Sequence, residues 1–529
     1  MSIYKKYDDK IIKKKKKINI ESNLIRGLEK SPSEAIKRRV STDINENLSF
    51  IKSLLGSSMS LVSCKFNIFK GRTEVGVFYI ENLSDKYVIS QQIIKPMVEN
   101  VTNNPNDVIP SIKEILIINA NIKESTEMDE IIHELLLGNT IIIIDKEKTA
   151  LIIGSRKIEK RSVEKPENEV MVLGSKEAFV EDIETNCSML IKRLPIPELR
   201  FEAFTVGKRS RTKVKLAWLE GIANKEIVEE ARYRIKRIDA DIGTGVGVLG
   251  EYIEENPLTI FYKFRETERP DMASRYLSEG YIVILCDLSP FALLMPLVFW
   301  DNFKSIDEYE DRVFPATFIR ILRYLSFIIS ITISSLYLSF VTYNHSIVPP
   351  ALAMSIADAR KGVPFPTVVE LLLMTLATDI LREAGLRMPG LVGYALGTLG
   401  AVVIGQAAVM AGIVSAPVII VVAISAISVF AIAMTTMVNT SRILNYMFIL
   451  SSAFFGMFGL ISAIIITVWH AISLKSLDVP YLYPVVPFEW EGFKDTFIRP
   501  RLSALTSRLK LIAPSNRYKI GTNKEHERK

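Results

Sequence analysis

Cysteine and histidine are scarce in this chain of 529 residues, which has three cysteines and four histidines. Cys64, Cys187 and Cys286 have no paired spacing, so we expect neither a disulfide framework nor a zinc site. The histidines lie far apart, without a nucleophile or a metal-ligand spacing around them: His133, His345, His470 and His526. We therefore expect no catalytic site, no metal and no cofactor.

Signals for export and for nucleotide or nucleic-acid binding are also missing. No apolar segment with a cleavage site follows the N-terminal lysines, so we expect no signal peptide and a cytoplasmic N-terminal region. The lysines at 13–17 lack interleaved aromatic residues, which argues against nucleic acid and favours contact with anionic lipid. Gly245, Gly247 and Gly250 have a dinucleotide-binding spacing, but no strand precedes them, so we interpret them as turn glycines.

The composition divides the chain into two unlike parts. Up to about residue 280 the sequence is rich in Lys, Glu and Ile, whereas residues 282–472 are largely apolar. The net charge of +7 is concentrated at the two ends. We expect a charged, mobile arm over residues 1–60 and a basic cytoplasmic tail over residues 476–529.

The polar part predicts an α/β cytoplasmic region of two small subdomains, over residues 61–160 and 165–280. In the first, strand-like runs such as TIIIID alternate with amphipathic helices, one of which ends at Gly138. In the second, an acidic helix start precedes a hairpin with a basic turn, a further helix and a final strand, YIVILCD. A charged linker that contains Pro166 separates the two.

The apolar part predicts an all-α polytopic membrane domain over residues 281–475. Four segments have the length and composition of clean spans: 316–343, 391–412, 416–438 and 443–471. Asp287, Pro290 and Pro296 interrupt residues 281–300, so we interpret that segment as a broken or re-entrant helix.

Basic residues predict the orientation of this domain. Arg320 and Arg323 mark the cytoplasmic end of the first span, and the basic tail places the C-terminus on the same side. The number of crossings is therefore even. Four clean spans satisfy this condition, and six crossings would need both the broken segment and the helix that follows Pro366.

The helix that follows Pro366 carries charges that its neighbours lack. Pro364 and Pro366 favour its start and Gly385 its end, which leaves about nineteen residues, or roughly 28 Å. Its polar side chains share one broad face: Thr367, Glu370, Thr375, Thr378 and Arg382. A helix of this kind either packs against protein or water within the membrane or lies flat at the membrane surface, and both alternatives stay open.

Small and polar residues follow in the next apolar segment. A glycine stripe that includes Gly405 permits close helix packing, and Gln406 is a polar residue in the middle of the predicted span. We name as candidates for packing or gating Gln406, Arg382, Gly405, Pro364 and Pro366.

Several ordered blocks resemble the A subunits of the spore-germination (GerA) receptor family. They cover most of the chain between residues 174 and 487: the acidic helix start at 179–186, ETERPD at 266–271, 289–291, 316–320, GVPFP at 362–366, LREAGLRMP at 381–389, 404–409 and 479–481. The loop at residues 344–350 departs from the family pattern. Stage V sporulation AF proteins are close relatives and the alternative identity.

The resemblance implies an integral protein of the inner spore membrane of an endospore-forming bacterium. It also implies a homo-oligomer that assembles with a transporter-like B subunit and a lipoprotein C subunit, and that belongs to the ion-conducting part of the receptor. We hypothesise that Glu370, Thr367 and Thr378 line a cation path, since a ring of carboxylates in an oligomer attracts cations.

Two alternatives to conduction remain. In a non-conducting scaffold for the B and C subunits, Glu370 would form a buried pair with Arg382 or Arg387. A secondary transporter that works alone would need discontinuous helices in two related halves, and residues 281–300 are its sole hint.

Overall fold

The computed structural model describes residues 38–519 except for 57–58, 70, 72, 100–107, 117–121, 158–165, 167–168, 170–174, 306 and 388–403. The chain forms two compact units. The first contains one five-stranded sheet together with residues 184–202 and 219–221. The second contains most of a second five-stranded sheet, the long helices and the C-terminal segment.

The first sheet is antiparallel throughout. Its strands are β1 (Leu61–Ile68), β2 (Thr73–Ile80), β3 (Ile122–Ser125), β4 (Thr140–Ile144) and β5 (Ala150–Ile153). Their spatial order is β1-β2-β4-β5-β3, and every neighbouring pair is antiparallel. All five residues of β4 are buried, which explains why this strand is an uninterrupted apolar run.

The helices of the first unit cover this sheet. They are α1 (Ile44–Leu55), a π-helical segment (Val88–Ile94) that continues into α2 (Lys95–Glu99), α3 (Val108–Ile115) and α4 (Met128–Leu136). The Asp43 side chain caps α1 by accepting from the Asn45 N–H, and α1 buries Ile44 and Ile51 completely or nearly so. Residues 44–55, predicted as part of a mobile arm, are therefore a folded element; residues 1–37 lie outside the described part.

The second sheet is also antiparallel in its described pairings. The elements in this part of the chain are α5 (Ile183–Arg193), β6 (Leu199–Val206), β7 (Thr212–Leu219), α6 (Lys225–Lys236), α7 (Val246–Ile253), β8 (Arg265–Thr267), α8 (Pro270–Ser278), β9 (Ile282–Cys286) and β10 (Ala292–Met295). From Glu184 onward, α5 belongs to the first unit. The strand order is β6-β7-β9-β10-β8. The Gly245–Gly250 spacing lies at the start of α7, and Gly250 is buried against Phe264, so its role is close packing.

The predicted broken membrane helix at residues 281–300 is wrong. These residues form β9, β10 and the start of a 3₁₀ turn (Phe299–Phe303), and all nine strand residues are buried in the second sheet. A strand buried on both faces has the same continuous apolar pattern as a membrane segment. The interruptions at Asp287 and Pro290 belong to the connection between the two strands, and Pro296 follows β10.

The C-terminal segment folds onto the second sheet and is not a free tail. It contains β11 (Lys475–Ser476), β12 (Val479–Pro480) and α15 (Trp490–Phe497). Leu477, Val479 and Tyr483 join the buried core of the second sheet. The Ile512 carbonyl accepts a 2.9 Å hydrogen bond from the Asn224 N–H. The region predicted as a basic tail is therefore part of a domain up to Lys519, and residues 520–529 lie outside the described part.

The helical part contains the most apolar elements of the chain. Its helices are α9 (Asp307–Glu310), α10 (Val313–Thr342), α11 (Pro350–Arg360), α12 (Thr367–Arg387), α13 (Ala416–Phe430) and α14 (Thr435–Ser473). Among the described residues, α10 and α14 are long and apolar enough to cross a membrane. The predicted span 391–412 lies largely outside the described residues.

Helix α14 is a helical hairpin rather than one rod. Gly456 has φ 57° and ψ −137°, which is incompatible with a continuous helix. Thr440 donates a 2.7 Å hydrogen bond to the Ile260 carbonyl, and His470 lies 2.9 Å from the Thr259 hydroxyl. In a straight helix these two positions would be about 45 Å apart, so the halves 435–455 and 457–473 must run in opposite directions.

Helix α12 runs along its neighbours within the bundle. Near its start, Leu371 packs with Leu338 and Ile449. Eight residues later, Asp379 contacts Arg442, close to the end of α14 that touches the sheet domain. This packing favours a helix that runs through the bundle over one that lies flat on the surface.

Candidate functional site

The entry to α12 positions its first polar side chains. Pro364 and Pro366 are exposed and lie just before the helix, which begins at Thr367. The Pro366 carbonyl accepts from the Glu370 N–H at 3.2 Å and so closes the first turn. Thr367 and Glu370 therefore lie one turn apart, and both are buried.

Glu370 is fully buried and its carboxylate is paired within the same chain. Oε2 accepts hydrogen bonds from the backbone N–H and the hydroxyl of Ser415, at 2.8 and 2.7 Å. Ser415 is the N-cap of α13, and the positive end of a helix favours a carboxylate there. Oε1 lies 3.5 Å from Nε of Arg360 and has no hydrogen-bond donor among the described groups.

The partner of Glu370 differs from the two considered in the sequence. Arg360, at the end of α11, takes the position that the scaffold hypothesis gave to Arg382 or Arg387. Arg382 instead lies 4.6 Å over the Phe430 ring, and its Nη2 is 3.5 Å from the Ala426 carbonyl. Arg382 thus packs α12 against α13 and is not the counter-charge of Glu370.

The two threonines of the predicted cation path occupy different levels. Thr378 lies eight residues beyond Glu370, or about 12 Å along the helix. Its hydroxyl donates to the Thr375 carbonyl at 2.7 Å, within the same helix. Thr367 and Glu370 could contribute to one ion site, whereas Thr378 would belong to another.

A second ion pair lies further along α12, and we did not predict it. Asp379 accepts from Arg442 at 2.9 Å and from the Tyr446 hydroxyl at 2.8 Å. Both partners lie on the first half of α14, about one turn apart. The sequence places Asp379 at the edge of the polar face of α12, but Arg442 is 63 residues away and no local signal connects the two.

Gly405 and Gln406, the remaining candidates for packing or gating, lie on the segment just before α13. Gly405 is buried, and a Cβ added there would meet Ile419 at 3.5 Å, an ordinary packing distance. The neighbouring Gln406 is exposed in this single chain. Their positions are compatible with packing against α13 and leave the Gln406 amide available to another chain.

A buried ionic network holds the start of α10, and sequence reasoning found only part of it. Arg320 is completely buried and its guanidinium binds Glu308 at 2.6 Å and Asp495 at 3.1 Å. Lys304 lies 3.6 Å from Asp495 and 3.2 Å from Asp301. Although burial opposes its charge, these carboxylates hold the pKa of Lys304 well above its ordinary value.

Asp495 and Tyr309 complete this network. Burial alone would raise the pKa of Asp495, but Lys304 and Arg320 together with the Tyr309 hydroxyl lower it below its ordinary value. Tyr309 donates to Asp495 at 2.7 Å. The network therefore connects α10 with α9 and with α15 of the C-terminal segment.

The block ETERPD also has a structural explanation. Arg269 is 1% exposed; it donates to the Ser175 carbonyl at 2.9 Å and pairs with Asp271 at 2.6 Å. Pro270 begins α8, where a proline is tolerated. Within the described residues, no group of three or more His, Cys, Asp or Glu side chains is arranged to hold a metal ion.

Comparison with known proteins gives one consistent family. The profile of Bacillus/Clostridium GerA spore germination proteins matches residues 49–511. Spore germination protein GerLA of Bacillus cereus is 36% identical over 458 residues, which is 87% of this chain and 93% of that protein. Spore germination protein KA of Bacillus subtilis (strain 168) is 35% identical over 489 residues, 92% of this chain and 90% of that protein.

One solved structure is similar to half of the chain. It is the crystal structure of the N-terminal domain of the A subunit of the Bacillus megaterium spore germinant receptor GerK3. The alignment has 27% identity and a TM-score of 0.39, and it covers 50% of this chain and 98% of that domain. Together, the family profile and the two relatives, each matched over most of its length, show that this chain belongs to the GerA family of spore germination proteins.

Proposed function

We propose that this chain is the A subunit of a nutrient-germinant receptor and that it conducts or gates cations when a germinant is sensed. Its place would be the inner spore membrane, with both termini on the cytoplasmic side. Family membership and the two long apolar helices support this proposal. Six segments would cross the membrane, which is an even number. They are α10, α12, the predicted span 391–412, α13 and the two halves of α14.

The buried carboxylate of Glu370 carries the proposal. An uncompensated charge in an apolar bundle is costly, so a buried carboxylate needs a cation nearby. Here Arg360 provides the positive charge at Oε1, while Ser415 holds Oε2. We assign this arrangement to a closed state, in which Arg360 takes the place of a permeating cation.

Opening would then require Arg360 to leave Glu370. Arg360 is the last residue of α11, and residues 361–366 connect that helix to α12. A small movement of α11 would expose Oε1, and Thr367 lies one turn away to contribute a hydroxyl. Repeated around a homo-oligomer, the freed carboxylates would form a ring that attracts cations.

The partners belong to the same proposal. A transporter-like B subunit would bind the germinant, and a lipoprotein C subunit would complete the receptor. Membership of the GerA family, with the relatives GerLA and KA matched over most of their lengths, supports assignment to this position in a receptor.

Two substitutions with opposite expected effects on cation release test the mechanism. Glu370→Gln keeps the shape of the side chain but removes the charge, so nutrient-triggered release of monovalent cations from dormant spores should slow about tenfold or more. Arg360→Gln leaves Glu370 unpaired and should raise cation leakage without nutrient. Asp358→Asn changes an exposed acid on the same helix and is the matched control.

Protein level in the spore membrane must be measured in parallel. Normal release from spores that contain normal amounts of Glu370→Gln would end the conduction proposal. A fall in protein level with both variants, and no change in release per molecule, would favour the scaffold instead.

The scaffold is the second candidate, and one observation favours it. Glu370 caps α13 and pairs with Arg360 within a single chain, so it stabilises the bundle whether or not ions pass. A stage V sporulation AF-type accessory protein would fit the same observation. The transporter alternative has lost its support, because residues 281–300 form strands.

A further inference from the structure

A cavity of about 160 Å³ lies between α8, residues 298–309 and the C-terminal segment. It is separate from Glu370 and its partners. On this measure a single water molecule needs roughly 10–15 Å³, so the cavity has room for a small ligand group. Nine of its 23 lining residues are charged.

The acidic side chains of this cavity each lie beside a basic side chain. Each lining carboxylate has a cationic partner: Glu279 with Lys519, Asp301 and Asp495 with Lys304, and Glu491 with Arg517. Arg517 also pairs with Glu489 at 2.9 Å, so the positive charge beside Glu491 is shared between two carboxylates. The other lining carboxylates have their counter-charges nearby and do not need an additional cation.

Two basic residues of the wall lack such a partner. The guanidinium of Arg275 lies 3.3 Å from the centre of the Tyr309 ring, and no carboxylate in the described part of the chain is within 4.0 Å of it. Lys494 is exposed at the cavity mouth and lies 5.7 Å over the Trp490 ring. Aromatic faces hold both cations in place without consuming their N–H donors in ion pairs.

A third basic residue has an unsatisfied donor. Arg265 is 3% exposed and lines the same cavity, and its Nε has no hydrogen-bond partner among the described atoms. A buried N–H group normally donates to an acceptor, so a ligand that supplies one would satisfy this donor. The hydroxyls of Ser305 and Ser507 lie in the same wall.

We propose that this cavity binds a phosphate group, with Arg275 as its anchor and Lys494 as the second cation. Guanidinium groups match phosphate oxygens through two parallel hydrogen bonds, and two uncompensated cations match a dianion. Arg265 and the hydroxyls would supply further donors. The phosphate comes either from a soluble phosphate ester or from the headgroup of an anionic lipid.

Calorimetric titration of the full chain in detergent tests the proposal. Inorganic phosphate is added in a phosphate-free buffer of constant ionic strength. Arg275→Gln should weaken binding about tenfold or more, because a charge-assisted hydrogen-bond pair is lost. Lys494→Gln should weaken it several-fold, and Lys510→Gln, an exposed lysine outside the cavity wall, should leave it unchanged.

Vesicles distinguish the two sources. Co-flotation of the solubilised chain with vesicles that contain phosphatidic acid, reduced by Arg275→Gln and Lys494→Gln, would assign the phosphate to a lipid. Binding of inorganic phosphate and of glycerol phosphate without such flotation would assign it to a soluble ester. Absence of binding in both assays, or equal binding by wild type and both variants, would overturn the proposal. Lys494 is exposed, so its variant decides the matter even if Arg275→Gln fails to fold.

Discussion

Lys304 is part of the buried ionic network at the base of α10. It lies between Asp301 and Asp495, and Asp495 in turn binds Arg320. Removing one partner from such a group leaves a buried charge uncompensated. The resulting loss of stability is much larger than the net stabilisation that the intact pair provides. Single substitutions here should therefore have large effects, whereas exposed ion pairs elsewhere contribute little.

Asp495→Asn should lower the free energy of unfolding by about 3 kcal/mol near neutral pH. Since the pKa of Asp495 is below its ordinary 3.8 in the folded chain, its stabilising contribution is present above that value and is lost as pH falls through the folded pKa. The contribution of Lys304 is present below its ordinary 10.5 and is lost only at higher pH. Wild type and variant should therefore converge in acid.

Thermal unfolding of the detergent-solubilised chain from pH 8 down to about pH 1 measures this convergence, which begins near 3.8 and is complete below the folded pKa. Asp239→Asn, which removes one member of an exposed pair with Lys208, is the control and should shift the midpoint by less than the equivalent of about 0.5 kcal/mol. A constant difference between wild type and Asp495→Asn at every pH would contradict the assignment.

Sequence reasoning at this scale identified charged residues but not their partners. Glu370 stood out because it is a carboxylate in an apolar helix, and Arg320 because it begins a span. The pairing of Arg360 with Glu370 was not predicted, since Arg360 lies in another helix, before the prolines at residues 364 and 366. Asp495, which pairs with Arg320, is 175 residues away, and no periodicity connects positions that far apart.

Gly456 decides the shape of α14. Its backbone lies in a region that side chains rarely adopt, and a Cβ built there would be 2.9 Å from the Tyr343 ring. The hairpin turn therefore needs glycine for two reasons, conformation and space.

Gly456→Ala should destabilise the bundle by roughly 1–3 kcal/mol and lower the amount of protein in the membrane. Gly405→Ala is the matched control, because its added Cβ would meet Ile419 at an ordinary distance and its level should stay normal. Quantitative blots of membrane fractions give the comparison. Equal levels of the two variants would mean that the chain does not turn at Gly456.

Secondary structure could be predicted where a pattern was specific. The runs TIIIID and YIVILCD were assigned as strands and form β4 and β9. The same evidence failed for residues 281–300, interpreted as a broken membrane helix, because β9 and β10 are as apolar as a membrane segment and prolines flank β10. The hairpin turn at Gly456 was not predicted either, since glycine is common in the apolar sequence of membrane helices.

At the scale of the whole molecule, the sheet domain and the helical bundle share one hydrophobic boundary. Phe261 and Tyr481 belong to the same buried cluster as Phe448 and Leu460 of α14. The Ser476 hydroxyl donates to the Lys263 carbonyl at 2.6 Å directly after the last helix. A displacement of α14 would therefore be transmitted to the loop before β8.

Truncation tests the dependence of the sheet domain on the C-terminal segment. A chain that ends at Ser473 loses Leu477, Val479 and Tyr483 from the core and should be degraded or aggregate. A chain that ends at Lys519 keeps every described contact and should reach normal levels. Limited proteolysis of membranes from cells that express each chain distinguishes them. Protease resistance of the sheet domain in the shorter chain would contradict the prediction.

The position of Tyr483 has a consequence for biosynthesis. Strands β6 to β10 leave the ribosome before any of the long helices, but the core that they form is completed by residues translated almost 200 positions after β10. Domains generally fold as they are synthesised, from the N-terminus onward. Here the core of the sheet stays incomplete, and accessible to chaperones and proteases, until the last long helix and the C-terminal segment have been synthesised. Completion of its core therefore requires that the whole helical part has been translated.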